Sequence, residues 1–191
     1  PAHAHEARAP DQLFPIKLLV QPPDELDGQR HARCLDRLPV HRVRSEHLGH
    51  RILVEAVAAA ALDELEAAVQ IHLNETQREV AQAHEQLGHG HVELLRDTGL
   101  LGPRLQTVHM TQLTPAEIDM VAAAKTSVVH CPTSNMQLAS GTCPVAELQA
   151  QDVTVGLGTD GAASNNTQDL FAELRLAGLL VKHANADPTQ G

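Results

Sequence analysis

Leu105-Gln106-Thr107-Val108-His109-Met110-Thr111-Gln112-Leu113-Thr114-Pro115-Ala116-Glu117-Ile118 is the stretch on which the fold turns. Leu105 to Met110 is short, apolar and rich in β-formers, the pattern of a buried strand. Thr114, Pro115 and Glu117 then spell a helix start: a hydroxyl cap, a proline at the first helical position and a carboxylate three residues after the cap. Ile118, Val121 and Ala122 continue as an apolar stripe at helical spacing, and Ser127 to Cys131 reads as the next buried strand. The sequence therefore predicts a strand, a crossover helix and a second strand, the repeating step of a parallel α/β sheet.

Working outward, the same alternation extends in both directions. Ala68 to Leu73 and Val153 to Gly158 read as further strands. Gln77 to Leu87 and Val92 to Leu95 read as helices, Pro144 starts another through Leu148, and Asp169 caps a last one with an apolar face at Leu170, Leu174, Ala177 and Val181. Four βα steps make half of a (β/α)8 barrel, whereas a whole one takes about 250 residues and this chain has 191. The expected fold is thus α/β, a partial barrel over residues 66–191. Residues 1–65 mix Arg, His, Pro, Asp and Leu without a sustained period, and only Ile52 to Ala68 is expected to be helical. The chain opens on Pro1 rather than Met, so it is expected to be a piece of a longer protein.

Composition narrows the function classes. The formal charge is −10, which argues against nucleic acid or an anionic membrane as partner, since both need a basic face. The longest apolar run, Ala56 to Leu62, is far short of the roughly 20 residues of a membrane span, and no secretory leader opens the chain. A cytoplasmic location is the expectation, with a homo-oligomer compatible with it. Phe14 and Phe171 are the only aromatic residues, so the core must be aliphatic. Cys34, Cys131 and Cys143 are odd in number and widely spaced, as packing residues rather than a disulfide framework or thiolate zinc site.

In parallel α/β barrels the C-terminal ends of the strands converge on one face, where active sites are built. Here those ends carry His72 and Glu75, His109, His130, and Asp160. Histidine and carboxylate suit a catalytic divalent ion, zinc or ferrous iron, that keeps a position open for water. Glu75, three residues after His72, suits a general acid/base, and Asp160 lies in Gly158-Thr159-Asp160-Gly161, where glycines flank a sharp turn. Each residue alone has a plain structural reading; their joint placement at successive strand ends points to a metal site.

Longer motifs carry a resemblance. Val129-His130-Cys131-Pro132-Thr133-Ser134-Asn135-Met136-Gln137-Leu138-Ala139-Ser140-Gly141 and Gly156-Leu157-Gly158-Thr159-Asp160-Gly161-Ala162-Ala163-Ser164-Asn165-Asn166 closely resemble the amidohydrolase superfamily. Thr107 to Thr111, His72 to Thr76 and Asp169 to Arg175 extend the match in the right order. More narrowly the chain looks like the TRZ/ATZ branch, which includes 5-methylthioadenosine/S-adenosylhomocysteine deaminases, guanine deaminases and triazine hydrolases. The resemblance implies barrel strands five to eight, one divalent metal and a small purine-type substrate. It implies His72 and Asp160 as metal ligands, Glu75 as the proton shuttle that also touches a substrate ring nitrogen, and His109 as the group orienting the hydrolytic water. Asp160 would also take a proton from that water and so meet the substrate side of the site. His130 and Asn135 are implied to be supporting residues rather than ligands.

The sequence also departs from that pattern. The superfamily needs a His-x-His pair on the first strand, and only His3-Ala4-His5 and His89-Gly90-His91 have that form. The second pair falls between two expected helices. His3 and His5 are further metal candidates, yet no apolar strand delivers them, and residues 6–71 cannot hold three βα units of about 30 residues each. Lys125 and Asp152 stand where relatives place helix-ending glycines, which predicts strained left-handed residues there. The expected activity is hydrolytic deamination of a methylthioadenosine-class substrate, acting on C–N bonds other than peptide bonds. The competing expectations are a non-catalytic barrel half and a guanine or cytosine deaminase or triazine hydrolase of the same superfamily.

Overall fold

A computed structural model describes residues 19–21 and 68–189. Five strands form one sheet in chain order: β1 (Leu19–Gln21), β2 (Ala68–Leu73), β3 (Leu105–His109), β4 (Ser127–His130) and β5 (Val155–Leu157). The pairs from β2 to β5 are parallel, with Leu73 opposite His109 and His130 opposite Leu157. This is the predicted four-strand parallel set. β1 is the exception, pairing antiparallel with β2 through Leu19 and Gln70. The helix expected at Ile52 to Ala68 lies outside the described residues except for Ala68, which begins β2.

The helices arise where local chemistry predicts. α1 (Gln77–Leu87) is capped by Thr76, whose Oγ1 accepts from Glu79 N at 3.1 Å, and ends on left-handed Gly88. α2 (His91–Asp97) begins at His91, so His89 and Gly90 lie between the two helices as expected and His91 is the first residue of the second. α3 (Pro115–Ala124) has the full capping box: Glu117 N donates to Thr114 Oγ1 and Thr114 N donates to Glu117 Oε2. A short helix with no sequence signal read in advance, α4 (Pro132–Gln137), follows β4 directly. α5 spans Val145–Ala150 and α6 spans Leu170–Asn185, the latter capped by Asp169 as predicted. Among the described residues no helix is long and apolar enough to cross a membrane.

The face of α6 differs from the predicted stripe. Ala177 and Val181 are buried, but Leu170 and Leu174 are more than half exposed, and fully buried Glu173 takes the inward place. Glu173 accepts from Thr133 N and from Asn165 Nδ2 at 2.7 Å, and these bonds rotate the helix toward the carboxylate rather than toward the leucines. The core is aliphatic, as the composition requires. Val69, Ile71, Leu73, Val92, Leu105, Val121, Val128, Leu148 and Val153 pack together between the sheet and its helices. Cys131 and Cys143 are buried free thiols, and burial pushes both up to about 12, which disfavours the thiolate. Cys34 lies outside the described residues.

Lys125 and Asp152 both adopt the left-handed conformation, at φ 57° and 58°. Each costs about 1 kcal/mol relative to glycine.

Candidate metal centre

The site is assembled by what each strand does at its C-terminal end. β2 delivers His72, then turns through Asn74, whose φ of 48° is left-handed. That turn is held from three sides. Buried Asn74 donates from Nδ2 to Gln112 O and to Glu117 Oε1, its N donates to Glu79 Oε1, and Glu75 N donates to Glu79 Oε2 at 2.8 Å. Thr111 Oγ1 donates to Glu75 O at 2.6 Å. Ser140 Oγ donates to Glu75 Oε1 at 3.0 Å, which leaves Oε2 facing His109 Nε2 at 3.7 Å.

β3 ends on two successive left-handed residues, His109 (φ 76°) and Met110 (φ 49°). The His109 ring is fully buried and stands edge-on to the His72 ring, with 4.8 Å between centroids. Asn135 Nδ2 lies 2.9 Å from its Nδ1. Burial lowers the His109 pKa, while Glu75 and Asp160 oppose that effect and His72 reinforces it.

β5 leads to Asp160, and here the predicted turn works differently from expectation. Neither flanking glycine is left-handed; Asp160 itself takes φ 58°. Gly158 is needed for space, because a Cβ there would lie 2.8 Å from Val129 Cγ1 and 3.1 Å from Cys131 Sγ. Asp160 Oδ2 accepts from Ser134 Oγ at 2.6 Å and from Ser164 Oγ at 2.7 Å. Burial pushes the Asp160 carboxyl up, yet the two hydroxyls and the Gly161 N–H outweigh it, so the group is held below the usual carboxylate range.

The outcome is that one ligand atom each from His72, His109 and Asp160 lie within 4.8 Å of one another. His109 Nε2 is buried there without a hydrogen-bond partner, and lies 4.0 Å from Asp160 Oδ2. Two imidazoles and an ionised carboxylate around one space are a donor set that fits a divalent ion such as zinc. Glu75 sits at the edge of this cluster, with Oε2 3.7 Å from His109 Nε2.

His130 lies outside that cluster. It is buried, both ring nitrogens lack partners, and burial takes its pKa down to about 4 against the opposing charge of Glu173. Candidates His3 and His5 lie outside the described residues. His91 turns inward to Asn74 Oδ1 at 3.3 Å, and so meets the scaffold of the β2 turn. The residues not singled out from sequence are the hydroxyl supports Ser134, Ser140 and Ser164 and the amide Asn74. Their only signal was membership of the long motifs, since Ser164 lies four residues from Asp160 but Ser134 lies 26 from it and Ser140 lies 65 from Glu75.

The family model described as the amidohydrolase family matches residues 50–191. A 5-methylthioadenosine/S-adenosylhomocysteine deaminase of Teredinibacter turnerae is 48% identical over 134 residues, covering 70% of this chain and 30% of that protein. A 5'-deoxyadenosine deaminase of Methanothermobacter thermautotrophicus is 46% identical over 131 residues, covering 69% and 31%. Among solved structures, an adenosine deaminase from Xanthomonas campestris with bound zinc superposes with a TM-score of 0.71 at 44% identity, covering 73% of this chain and 32% of that one. Atrazine chlorohydrolase from Arthrobacter aurescens, complexed with zinc, gives 0.66 at 25% identity, covering 72% and 30%. This chain thus spans about a third of the length of the relatives it matches.

Proposed function

The chain belongs to the amidohydrolase family, and on that premise we propose that residues 66–191 are the part of a catalytic barrel that deaminates a small purine-type substrate of the 5-methylthioadenosine/S-adenosylhomocysteine class. The observation that carries the reading is the convergence of His72, His109 and Asp160 within 4.8 Å, with Glu75 3.7 Å from His109. The thioadenosine class is favoured over guanine or triazine substrates because the relatives named for it reach 48% identity. The guanine deaminase and triazine hydrolase structures stand at 25 to 26%.

In this reading His72 and Asp160 hold one divalent ion, zinc or, with the same donor chemistry, iron. Such an ion, when bound, supplies Lewis acidity that lets water ionise near neutral pH. His109 orients the water from Nε2. Asp160, ionised and steadied by Ser134 and Ser164, receives the first proton. Glu75, anchored at Oε1 by Ser140, turns Oε2 inward to meet a substrate ring nitrogen and to pass a proton to the departing amine. The water oxygen ends on the ring carbon, the two water protons end on the ring nitrogen and the departing amine by way of Asp160 and Glu75, the C–N bond breaks, and ammonia leaves.

The test is ammonia release from 5-methylthioadenosine, with zinc supplied, by the longest protein that carries this sequence. Glu75→Gln is expected to lower the rate by about a hundredfold or more, the scale of a lost general acid/base. A rate unchanged by that substitution sinks the assignment.

A further inference from the structure

We infer that Gln112 is a positioning residue for Glu75: its side-chain amide ties the Ser140 loop to the end of β3, so that Ser140 holds Oε1 of Glu75 and Oε2 is left turned toward the site. The inference deepens the proposed function and rests on it only for the part Glu75 plays in the reaction. Glu75 lies in the short turn between β2 and α1. Its side chain has several rotatable bonds, so the direction of its carboxylate depends on what grips it from outside that turn.

Gln112 meets both of the groups that grip it. Its Nε2 lies 2.8 Å from Ser140 O and 3.0 Å from Thr111 Oγ1. The Ser140 carbonyl can only accept, which fixes the nitrogen of the amide on that side, and the two amide hydrogens serve the two oxygens. Each bond is handed on. The Thr111 hydroxyl accepts from Gln112 and gives its one hydrogen to Glu75 O at 2.6 Å, the shortest of its contacts. Ser140, held by its carbonyl, gives its hydroxyl hydrogen to Glu75 Oε1 at 3.0 Å. One amide thus supports Glu75 at its main chain and at its carboxylate, and linked bonds of this kind strengthen one another.

The surroundings are shaped for that amide. Thr111 and Ser140 are buried, which shields the bonds from competing water. The main chain of Gln112 is bound to the Glu75 turn, its N donating to Asn74 O at 3.0 Å and its O accepting from Asn74 Nδ2 at 3.1 Å. These bonds fix where the side chain starts and do not depend on its identity. Ser140 is tied from the far side, its N donating to Asn135 O at 2.9 Å. Gly141, at φ 133°, leaves the space: a Cβ there would lie 2.5 Å from Gln112 Nε2 and 3.0 Å from Thr111 Oγ1.

The test has two arms. In the first, the full 191-residue chain is labelled with 13C at its glutamate carboxyls and read by nuclear magnetic resonance, with Glu75 identified by its loss in Glu75→Gln. Gln112→Met, of similar length without the donor, Gln112→Ala and Ser140→Ala are each expected to move the Glu75 signal. The shift from Gln112→Met is expected to shrink by about half or more once Ser140→Ala is present. In the second arm, deamination is measured with the longest protein that carries this sequence. Ser140→Ala is expected to lower kcat by about tenfold, the worth of a hydrogen bond to a charged group, and Gln112→Met by about fivefold, that of a neutral one. In a Glu75→Gln background Gln112→Met is expected to cost nothing more. A Glu75 signal unmoved by both Gln112 substitutions, whether or not Tm falls, marks a merely structural amide and overturns the inference. So does a shift equally large with and without Ser140, a kcat indifferent to Gln112→Met where Glu75→Gln abolishes it, or a loss that persists in Glu75→Gln. If Glu75→Gln itself leaves the rate unchanged, the proposed function fails, and the first arm alone decides whether Gln112 positions the carboxylate.

Discussion

The two ends of the parallel sheet are built to different standards. Toward the N-terminal ends of the strands and against the helices, Val69, Leu105, Val128, Leu148 and Val153 are buried aliphatic residues. At the C-terminal ends, Asn74, His109, Met110 and Asp160 are all left-handed without being glycine, and His109 Nε2, both His130 nitrogens and Asn135 Oδ1 are buried without partners. Each left-handed residue costs about 1 kcal/mol, and each buried unpaired polar group about 1 to 3 kcal/mol. The difference teaches that one end stabilises the chain and the other is held in a costly geometry by it. Lys125 and Asp152 carry the same left-handed cost at the other end, so what sets the C-terminal end apart is the buried polar atoms without partners that lie among the candidate site residues.

That contrast can be broken by mutation at either end. The largest effect is expected from Leu148→Ala in the fully buried core: about 4 kcal/mol of stability lost, read by urea unfolding, with zinc affinity unchanged. Next is acid. His130 has a folded pKa of about 4 against 6.5 when unfolded, with Glu173 and His109 as the charged groups acting on it. Between these values the unfolded chain binds the extra proton, so stability falls as pH is lowered from 6.5 toward 4, by about 3 kcal/mol. His130→Gln is expected to flatten that slope. His72→Ala is expected to do the reverse of the core mutation. Structural zinc sites are worth about 10 to 16 kcal/mol over four ligands, so losing one ligand weakens zinc binding by about a hundredfold in calorimetry, with unfolding nearly unaltered. The smallest effect sharpens the contrast. Lys125→Gly relieves a left-handed residue remote from the site and is expected to gain about 1 kcal/mol in thermal unfolding without touching zinc affinity.

Much of this was legible in the residues. The β2 strand is predicted to the residue, and the caps at Thr114 and Asp169 form the bonds their types imply, because capping is a local affair of one side chain and the next turn. The left-handed strain at Lys125 and Asp152 was visible because those positions break a glycine pattern. What the sequence could not yield depends on contacts distant along the chain. The inward turn of Glu173 is set by Thr133 and Asn165, against a hydrophobic stripe that favours Leu170 and Leu174. The left-handed residue in the Gly158 to Gly161 turn is the aspartate itself, and Gly158 is there for the space that Val129 and Cys131 leave. Ser134, Ser140 and Ser164 look like ordinary loop hydroxyls until the fold brings them to Asp160 and Glu75.

The short helix α4 has a bearing on how such a protein can change over evolutionary time. In three consecutive residues, Thr133 N meets Glu173, Ser134 Oγ meets Asp160 and Asn135 Nδ2 meets His109. A shift or a one-residue slip of this single turn would misplace the carboxylate, the imidazole and the packing of α6 at once. A change of substrate preference is therefore expected to keep this turn and to alter positions outside it. Engineered libraries are best built the same way, with positions 133 to 135 kept constant and diversity placed around them.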